Sequence, residues 1–118
     1  MILGVHMHFD AAHFLPYYDG QCRDLHGHTY HVEVQLSGFP MVSGSTYEGM
    51  IMDFKVFKQH VKDVLDQLDH KCLNDVLPDM PTTCENTAQW IKSQLTKSGL
   101  NIKSVTVQEG EGGFAIAD

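Results

Sequence analysis

Three imidazoles and one thiol lie close together in the first quarter of the chain. His26 and His28 have the spacing His-x-His, Cys22 lies four residues before His26, and His13 lies further upstream. Side chains at positions i and i+2 of a β-strand point to the same side, so His26 and His28 can bind one metal ion together. His13 can complete a set of three histidines, which is how a catalytic zinc ion is usually held with its fourth position open. The pattern therefore predicts a metal site that can do chemistry.

The spacing leaves alternatives open for the metal ligands and for the thiol. His6 and His8 form a second His-x-His pair, and spacing alone does not exclude it. The glycine between His26 and His28 favours that pair, because a glycine within a strand marks a bend or a close backbone approach. Cys22 could act as a general base, as a nucleophile or as a fourth metal ligand. The last role would close the site and make it structural.

Two further groups of polar residues can take part in acid–base or binding chemistry. Asp69 and His70 are adjacent; a histidine near a helix C-terminus interacts well with the helix dipole, whereas a carboxylate there does not. An Asp–His pair near a cysteine would be a proton relay, although spacing does not show that the groups meet. Glu85 is explained by a capping box. Glu109 ends an apolar strand and is either solvated or able to bind the edge of a heterocycle by two hydrogen bonds.

Hydrophobic periodicity predicts the elements that position these side chains. Residues 28–36 alternate between apolar and polar, which is typical of a half-buried strand, and His26 and His28 share the parity of its apolar face. The order ββααββ predicts an α+β fold with a four-stranded antiparallel sheet and both helices on one face. The predicted elements are strands over 2–9, 28–36, 102–108 and 114–116, a short strand over 49–52, a helix from the N-cap Asp53 to about Asp69–His70, a helix from the N-cap Thr82 to Gly99, and loops over 10–20, 40–48 and 74–81.

The composition is typical of a single domain, residues 1–118, without a membrane segment. The formal net charge of −7 argues against a nucleic-acid partner. No apolar run approaches the roughly 20 residues of a transmembrane helix, and the first residues lack the features of a signal peptide, so a cytoplasmic protein is expected. The three cysteines fit no disulfide framework and are expected to be free thiols. Open sheet edges favour an oligomer.

Taken together, these segments resemble the 6-pyruvoyltetrahydropterin synthase family, and within it the bacterial branch that makes 6-carboxytetrahydropterin. The resemblance covers nearly the whole chain. Each matching segment is short, but their order and intervals together are highly specific. The segments are Phe9–His13, Cys22–His28, Gly49–Phe54, Leu68–His70, Leu73–Asn74, Pro81–Thr82, Glu85–Asn86 and Glu109.

The resemblance implies a fold, a cofactor and a role for each candidate residue. The fold would be the tunnelling fold (T-fold), in which the four-stranded sheets of three subunits close into a barrel and two such trimers stack into a hexamer. The cofactor would be Zn²⁺, and active sites would lie between subunits. The implied roles are zinc ligands for His13, His26 and His28, general base for Cys22, proton relay for Asp69 and His70, pterin anchor for Glu109, and further pterin contacts for Thr83 and Glu85.

The implied reaction converts 7,8-dihydroneopterin triphosphate to 6-carboxytetrahydropterin, acetaldehyde and triphosphate in queuosine biosynthesis. The three-residue gap between Cys22 and His26 is similar to the carboxytetrahydropterin branch. The alternatives are triphosphate elimination to a 6-pyruvoyl product, an aldolase-like cleavage of dihydroneopterin, and a non-catalytic zinc-binding module with Cys22 as fourth ligand. Cys84 and Gly110 depart from the residues usual in the family, which leaves the fine substrate preference open.

Overall fold

The computed structural model describes residues 1–77 and 79–118. It contains two long paired strands, two main helices and several shorter elements. None of the helices in this described part is long and apolar enough to cross a membrane. The elements are the strands β1 Ile2–His13, β2 His26–Ser37, β3 Lys71–Cys72, β4 Ile102–Glu109 and β5 Gly113–Ala117, the helices α1 Phe54–Leu65, α2 Leu73–Val76 and α3 Cys84–Lys97, and a 3-10 turn at Gln21–Arg23.

The strands form one mostly antiparallel sheet in the order β3-β1-β2-β4-β5. β1 and β2 pair along their full length, and the pairing ends with His13 opposite His26. The predicted α+β class and the ββααββ order of the main elements are confirmed. The sheet has a fifth strand, because the two-residue β3 pairs in parallel with β1. A strand of two residues has no periodicity of its own, so no pattern in the sequence predicts it.

Successive side chains along β1 and β2 point alternately to an inner face, which packs against the helices, and to an outer face. Phe9 and Tyr30 lie opposite each other on the inner face, and their rings stack with centroids 4.8 Å apart. The predicted apolar face of β2 is buried, and α1 and α3 cover it with Phe57, Ile91 and other core residues. Burial of this face fixes the register, because a shift by one residue would turn every side chain of a strand over.

Two strand predictions were wrong. A turn-rich segment was predicted from Asp10, but β1 continues to His13. The alternation continues with it, since Ala11 and His13 are buried like Phe9 before them. The short strand predicted over 49–52 is a turn and bend that leads into α1. Ile51 and Met52 pack against the core from a loop, so a short apolar run there did not require a strand.

The helix predictions are partly confirmed. Asp53 is the N-cap of α1, and its carboxylate accepts a backbone N–H at 2.6 Å. α1 ends at Leu65 and is followed by turns, short of the predicted end. The N-cap of α3 is Thr83, whose hydroxyl accepts the N–H of Asn86 at 3.2 Å, and not Thr82. Thr82 is fully buried instead and belongs to the surroundings of His13.

The loop predicted over 74–81 also differs. It overlaps the one-turn helix α2, which starts at Leu73. The predicted loop also includes Pro78, which lies outside the described part of the chain. The loop predicted over 40–48 is confirmed, since those residues form turns and bends between β2 and α1.

Candidate active site

The end of β1 and the start of β2 bring three histidine side chains together. His13 lies opposite His26, and His28 follows on the same face of β2. The ring centroids are 4.6 Å apart for His13 and His26, 4.8 Å for His26 and His28, and 5.2 Å for His13 and His28. One nitrogen from each ring lies within 4.8 Å of the other two. Three imidazole nitrogens this close together are the kind of ligand set that holds a zinc ion.

Hydrogen bonds determine which nitrogen is free on two of the rings. Nδ1 of His13 lies 2.8 Å from the carbonyl oxygen of Thr82, and Nδ1 of His26 lies 2.7 Å from the carbonyl oxygen of Asp24. A carbonyl oxygen only accepts, so both Nδ1 atoms carry the proton and donate it. Each Nε2 therefore keeps a lone pair. Metal-binding histidines are commonly oriented by such a hydrogen bond from the second ring nitrogen.

Burial keeps His13 neutral and leaves two nitrogens of the cluster without a partner. His13 is 2% exposed, and burial lowers the pKa of its imidazole despite the opposing effect of the hydrogen bond to Thr82. Among the described residues, Nε2 of His13 and Nε2 of His28 are buried and lack a hydrogen-bond partner. Oε1 of Glu109 lies 3.9 Å from Nε2 of His13, which is too far for a hydrogen bond. Because buried polar atoms are rarely left unpaired, this donor set fits a bound zinc ion.

Cys22 lies on the 3-10 turn in the connection between β1 and β2. The backbone N–H of Leu15 donates to the carbonyl oxygen of Cys22 at 2.8 Å and closes this connection on itself. The half-buried thiol is not part of the group of ligand atoms that lie within 4.8 Å of one another. The arrangement therefore does not form the closed site, with Cys22 as a fourth ligand, that the sequence left open.

Asp69 and His70 form a hydrogen-bonded pair beside β1. Nδ1 of His70 lies 2.9 Å from Oδ2 of Asp69, and Oδ1 of Asp69 accepts the backbone N–H of Asp10 at 3.0 Å. The bond from Asp10, followed by the bond from His70, lowers the pKa of the Asp69 carboxyl, so it is ionised at neutral pH. His70 has a left-handed backbone with φ 59, and its N–H donates to the carbonyl oxygen of Asp10 at 2.6 Å. Such a conformation is uncommon outside glycine and is often found at functional sites.

One surface groove reaches a member of the Asp69–His70 pair and a member of the histidine cluster. His28 and His70 both line it, together with Thr29 and Lys71. The hydrogen bonds of the pair run to Asp10 and not to Cys22. A single chain therefore brings the pair near one zinc-ligand candidate without joining it to the thiol. The expectation that the pair acts on the site of a neighbouring subunit remains a prediction.

The residues expected to bind the pterin lie at the end of β4 and the start of α3. Glu109 is the last residue of β4, and its side chain is 28% exposed. Thr83 caps α3, and Glu85 lies in the first helical turn. Between them, Sγ of Cys84 donates to the carbonyl oxygen of Val107 at 2.9 Å. Burial, followed by the charge of Glu109, raises the pKa of the Cys84 thiol to about 11, so it is neutral at physiological pH.

The turn after Glu109 explains one departure from the residues usual in the family that the sequence resembles. Gly110 has φ 53, and its N–H donates to the carbonyl oxygen of Thr29 at 3.1 Å. A β-branched residue such as threonine is strained in this left-handed conformation. The glycine is therefore required by the backbone of this turn rather than by lack of space, since a Cβ atom here would be 3.9 Å from Nδ1 of His28.

Comparison with known proteins identifies the family. The family model described as 6-pyruvoyl tetrahydropterin synthase matches residues 2–118. The chain belongs to the 6-pyruvoyl tetrahydropterin synthase family. It is 39% identical over 103 residues to 6-carboxy-5,6,7,8-tetrahydropterin synthase of Synechocystis sp., covering 86% of this chain and 80% of that relative. It is 37% identical over 105 residues to dihydroneopterin monophosphate aldolase of Pyrococcus furiosus, covering 86% and 83%.

A solved structure of the 6-pyruvoyl tetrahydropterin synthase family agrees with the fold. The enzyme of Caenorhabditis elegans superposes with a TM-score of 0.83 at 25% identity, covering 100% of this chain and 94% of that chain. The predicted T-fold is therefore confirmed at the level of the single chain. Membership of this family of pterin synthases also supports the prediction that the protein is an enzyme.

Sequence reasoning missed four residues that shape the site in this member of the 6-pyruvoyl tetrahydropterin synthase family. Thr82 was interpreted as a helix cap, yet its carbonyl oxygen orients His13. Asp10 was placed in a turn, yet its backbone holds the Asp69–His70 pair. Tyr30 is a core residue whose buried hydroxyl has no partner among the described residues. Asn74 was known only as part of a matching segment.

Asn74 joins its own helix α2 to Phe14 and to Thr82, and its loss is expected to destabilise the protein. Its Oδ1 accepts the N–H of Phe14 at 3.0 Å, and its Nδ2 donates to the carbonyl oxygen of Phe14 at 2.9 Å. The Asn74→Ala variant leaves the N–H of Phe14 unpaired and leaves its carbonyl oxygen with only the 3.4 Å bond from the Thr82 hydroxyl, which should lower the free energy of unfolding by about 1–3 kcal/mol in urea denaturation. Asn101→Ala, which removes one exposed amide bond to Ser37, should cost less than about 0.5 kcal/mol. Equal losses in the two variants would contradict this assignment.

Proposed function

We propose that residues 1–118 form a single catalytic domain with zinc-dependent 6-carboxy-5,6,7,8-tetrahydropterin synthase activity. The substrate would be 7,8-dihydroneopterin triphosphate. With one water molecule it would yield 6-carboxy-5,6,7,8-tetrahydropterin, acetaldehyde and triphosphate, as a step in queuosine and 7-deazapurine biosynthesis. The relative from Synechocystis sp. carries the name of this activity, which supports the choice of product.

The observation that carries the proposal is the set of free nitrogens in the histidine cluster. His13 and His26 each donate from Nδ1 to a carbonyl oxygen, so each has Nε2 available. Nε2 of His28 is buried without a partner among the described residues. Three imidazoles that each bring one ring nitrogen within 4.8 Å of the others are a donor set suited to a catalytic zinc ion with an open fourth position. When bound, zinc would supply Lewis-acid polarisation of the substrate side chain.

Two groups would move protons. Cys22 would take the proton from the side-chain carbon or oxygen, as the general base of the reaction. Asp69 accepts from Nδ1 of His70 and so holds that ring with its Nε2 free. The lowered pKa of Asp69 keeps its carboxylate ionised as the acceptor that orients His70, and His70 would return a proton to the product. His70 would act in this role at the active site of its own or of a neighbouring subunit.

Glu109 would hold the pterin. An ionised carboxylate can accept two hydrogen bonds from adjacent N–H groups of a pterin ring. Oε1 of Glu109 lies 3.9 Å from Nε2 of His13. A pterin ring bound to Glu109 would therefore place the side chain of the pterin beside the histidine cluster. Thr83 and Glu85 would add contacts from the start of α3. Orientation of this kind increases the reaction rate, because the reacting atoms are held near the catalytic groups.

A homohexamer built from two trimers belongs to the same proposal. β5 forms one edge of the sheet, and Phe114 and Ile116 on it are 61% and 53% exposed. An exposed edge of this kind is favourable for strand pairing with another subunit. We also propose a cytoplasmic location with no nucleic-acid partner, in keeping with the net charge of −7.

A second candidate function is retro-aldol cleavage, because the aldolase of Pyrococcus furiosus is 37% identical to this chain. Loss of triphosphate with retention of the side chain, to give the 6-pyruvoyl product, is a third. The deciding experiment incubates the zinc-loaded protein with 7,8-dihydroneopterin triphosphate and identifies the products by mass. Carboxytetrahydropterin with acetaldehyde would support the proposal, and a 6-hydroxymethyl or 6-pyruvoyl pterin would replace it with the corresponding alternative. No reaction at all would favour a non-catalytic zinc-binding module.

Glu109→Gln should weaken pterin binding. The substitution keeps the size of the side chain but replaces one accepting oxygen with a donor and removes the charge. Loss of a hydrogen bond to a charged group is expected to raise the dissociation constant for dihydroneopterin about 10- to 100-fold, measured by fluorescence titration. Glu111→Gln is the matched control, since Glu111 lies exposed in the turn that follows. Unchanged binding in Glu109→Gln would remove Glu109 from the pterin site.

A further inference from the structure

The outer face of the β1–β2 pair carries a second group of histidines that the proposed reaction does not use. His6 and His8 lie on β1 and His31 lies on β2, all three exposed. In the sheet register, His8 lies opposite His31, and His6 lies opposite Glu33. The four side chains therefore form a two-by-two block on the outer face. We call it the outer histidine block.

The outer histidine block repeats the pattern of the candidate metal centre on the opposite side of the same two strands. In the candidate metal centre, a His-x-His pair on β2 is joined by His13, which lies opposite one member of the pair. In the outer block, the His-x-His pair is on β1, and His31 lies opposite one member, His8. The two patterns differ in strand and in face, but each places a third imidazole opposite one member of a His-x-His pair. Three imidazoles on one face are the donors that a zinc ion commonly takes.

Distances within the block are longer than in the buried cluster. The ring centroids of His8 and His31 are 6.3 Å apart, compared with 4.6–5.2 Å for the buried rings. Exposed side chains rotate freely, so the rings can approach each other at the cost of rotamer entropy. Nε2 of His6 lies 3.7 Å from Oε2 of Glu33, and Oε1 of Glu33 is held by Nε2 of Gln35 at 2.6 Å. A carboxylate with one oxygen anchored and the other directed towards an imidazole is well placed as a fourth ligand.

We propose that His6, His8, His31 and Glu33 form a second binding site for a divalent transition-metal ion. Imidazole nitrogen with one carboxylate is a donor set that zinc, cobalt and nickel accept. The net charge of −7 favours the approach of a cation. The affinity is lower than at the buried cluster, because binding must first order three exposed rings. The site does not depend on the proposed reaction, and it predicts two metal ions for each chain.

The test titrates metal-free full-length protein with Co²⁺ and with Zn²⁺ and counts bound ions by visible absorption and by competition with a chelator. Wild-type protein should bind two ions per chain with different affinities. The His8→Ala/His31→Ala variant should keep the tighter ion, while its weaker affinity falls by more than about 100-fold, since loss of even an outer partner of a ligand costs 10- to 100-fold. Both substituted residues are exposed, so the variant is expected to fold.

Two controls separate this site from the proposed active site. His60→Ala changes a histidine of α1 outside both groups and should leave both ions bound. His26→Ala/His28→Ala should lose the tighter ion and keep the weaker one. The proposal would be overturned if wild-type protein bound no ion that depends on His8 and His31, or if a second ion survived in His8→Ala/His31→Ala. If wild-type protein bound only the ion that His8→Ala/His31→Ala loses, the result would instead count against the proposed function.

Discussion

The His28→Ala variant is expected to lose zinc from the buried cluster and to lose its activity. His28 supplies one of three imidazoles, and its Nε2 is buried without any other partner among the described residues. Removal of an outer partner of a zinc ligand costs about 10- to 100-fold in affinity, so removal of a ligand should cost more. Without the ion, the substrate side chain is not polarised, and turnover should fall to the background rate.

The measurement is made in the His8→Ala/His31→Ala background, so that the outer histidine block does not contribute bound metal. Zinc content after dialysis and the rate of product formation are compared with those of the same background carrying native His28. His60→Ala serves as a control for the loss of an unrelated histidine. Zinc that stays bound with unchanged affinity in the His28 variant would show that the cluster is not the metal site.

Cys22→Ala is expected to abolish most turnover while zinc remains bound. The thiol lies outside the group of close ligand atoms, so its removal should not change the metal affinity. A positioned general base contributes about 10²- to 10⁴-fold to the rate, and turnover should fall by that factor. The loss should appear in kcat rather than in the binding of the pterin, because Glu109 and the start of α3 are unchanged.

Cys72→Ala is the matched control, since Cys72 is also a free, half-buried thiol but lies on β3. Its activity should stay close to that of the wild type. Full activity in Cys22→Ala would refute the assignment of Cys22 as the base. Loss of zinc in that variant would instead indicate that the connection between β1 and β2 closes over the ion and that Cys22 is a ligand.

Local patterns in the sequence were sufficient where an element is regular and one side of it is buried. The alternation along β2 predicted which residues face the core, and the same parity placed His26 and His28 together. The N-cap at Asp53 was predicted for a similar reason, since its side chain bonds within its own helix. The histidine cluster could be predicted because two of its members lie on one strand at a spacing of two residues.

Contacts between distant segments could not be predicted. The fifth strand and the support of His13 by Thr82 join residues far apart in the chain. Thr82 and Thr83 are adjacent and chemically similar, so the sequence had no means to tell which would cap α3 and which would be buried. The bonds between Asp10 and the Asp69–His70 pair are invisible for the same reason, because only folding places that pair beside β1.

His13 and His26 flank the connection 14–25 and lie opposite each other on the adjacent strands β1 and β2. A metal ion bound to both would tie that connection into a closed ring, much as a disulfide does. A cross-link that closes a loop of about 15 residues stabilises a protein by roughly 3 kcal/mol in the chain-entropy model. The ion would then also act as a structural cross-link for the segment that carries Cys22. Removing zinc should lower the melting temperature and make this segment more mobile. The metal supply would then affect the stability of the protein as well as its catalytic rate.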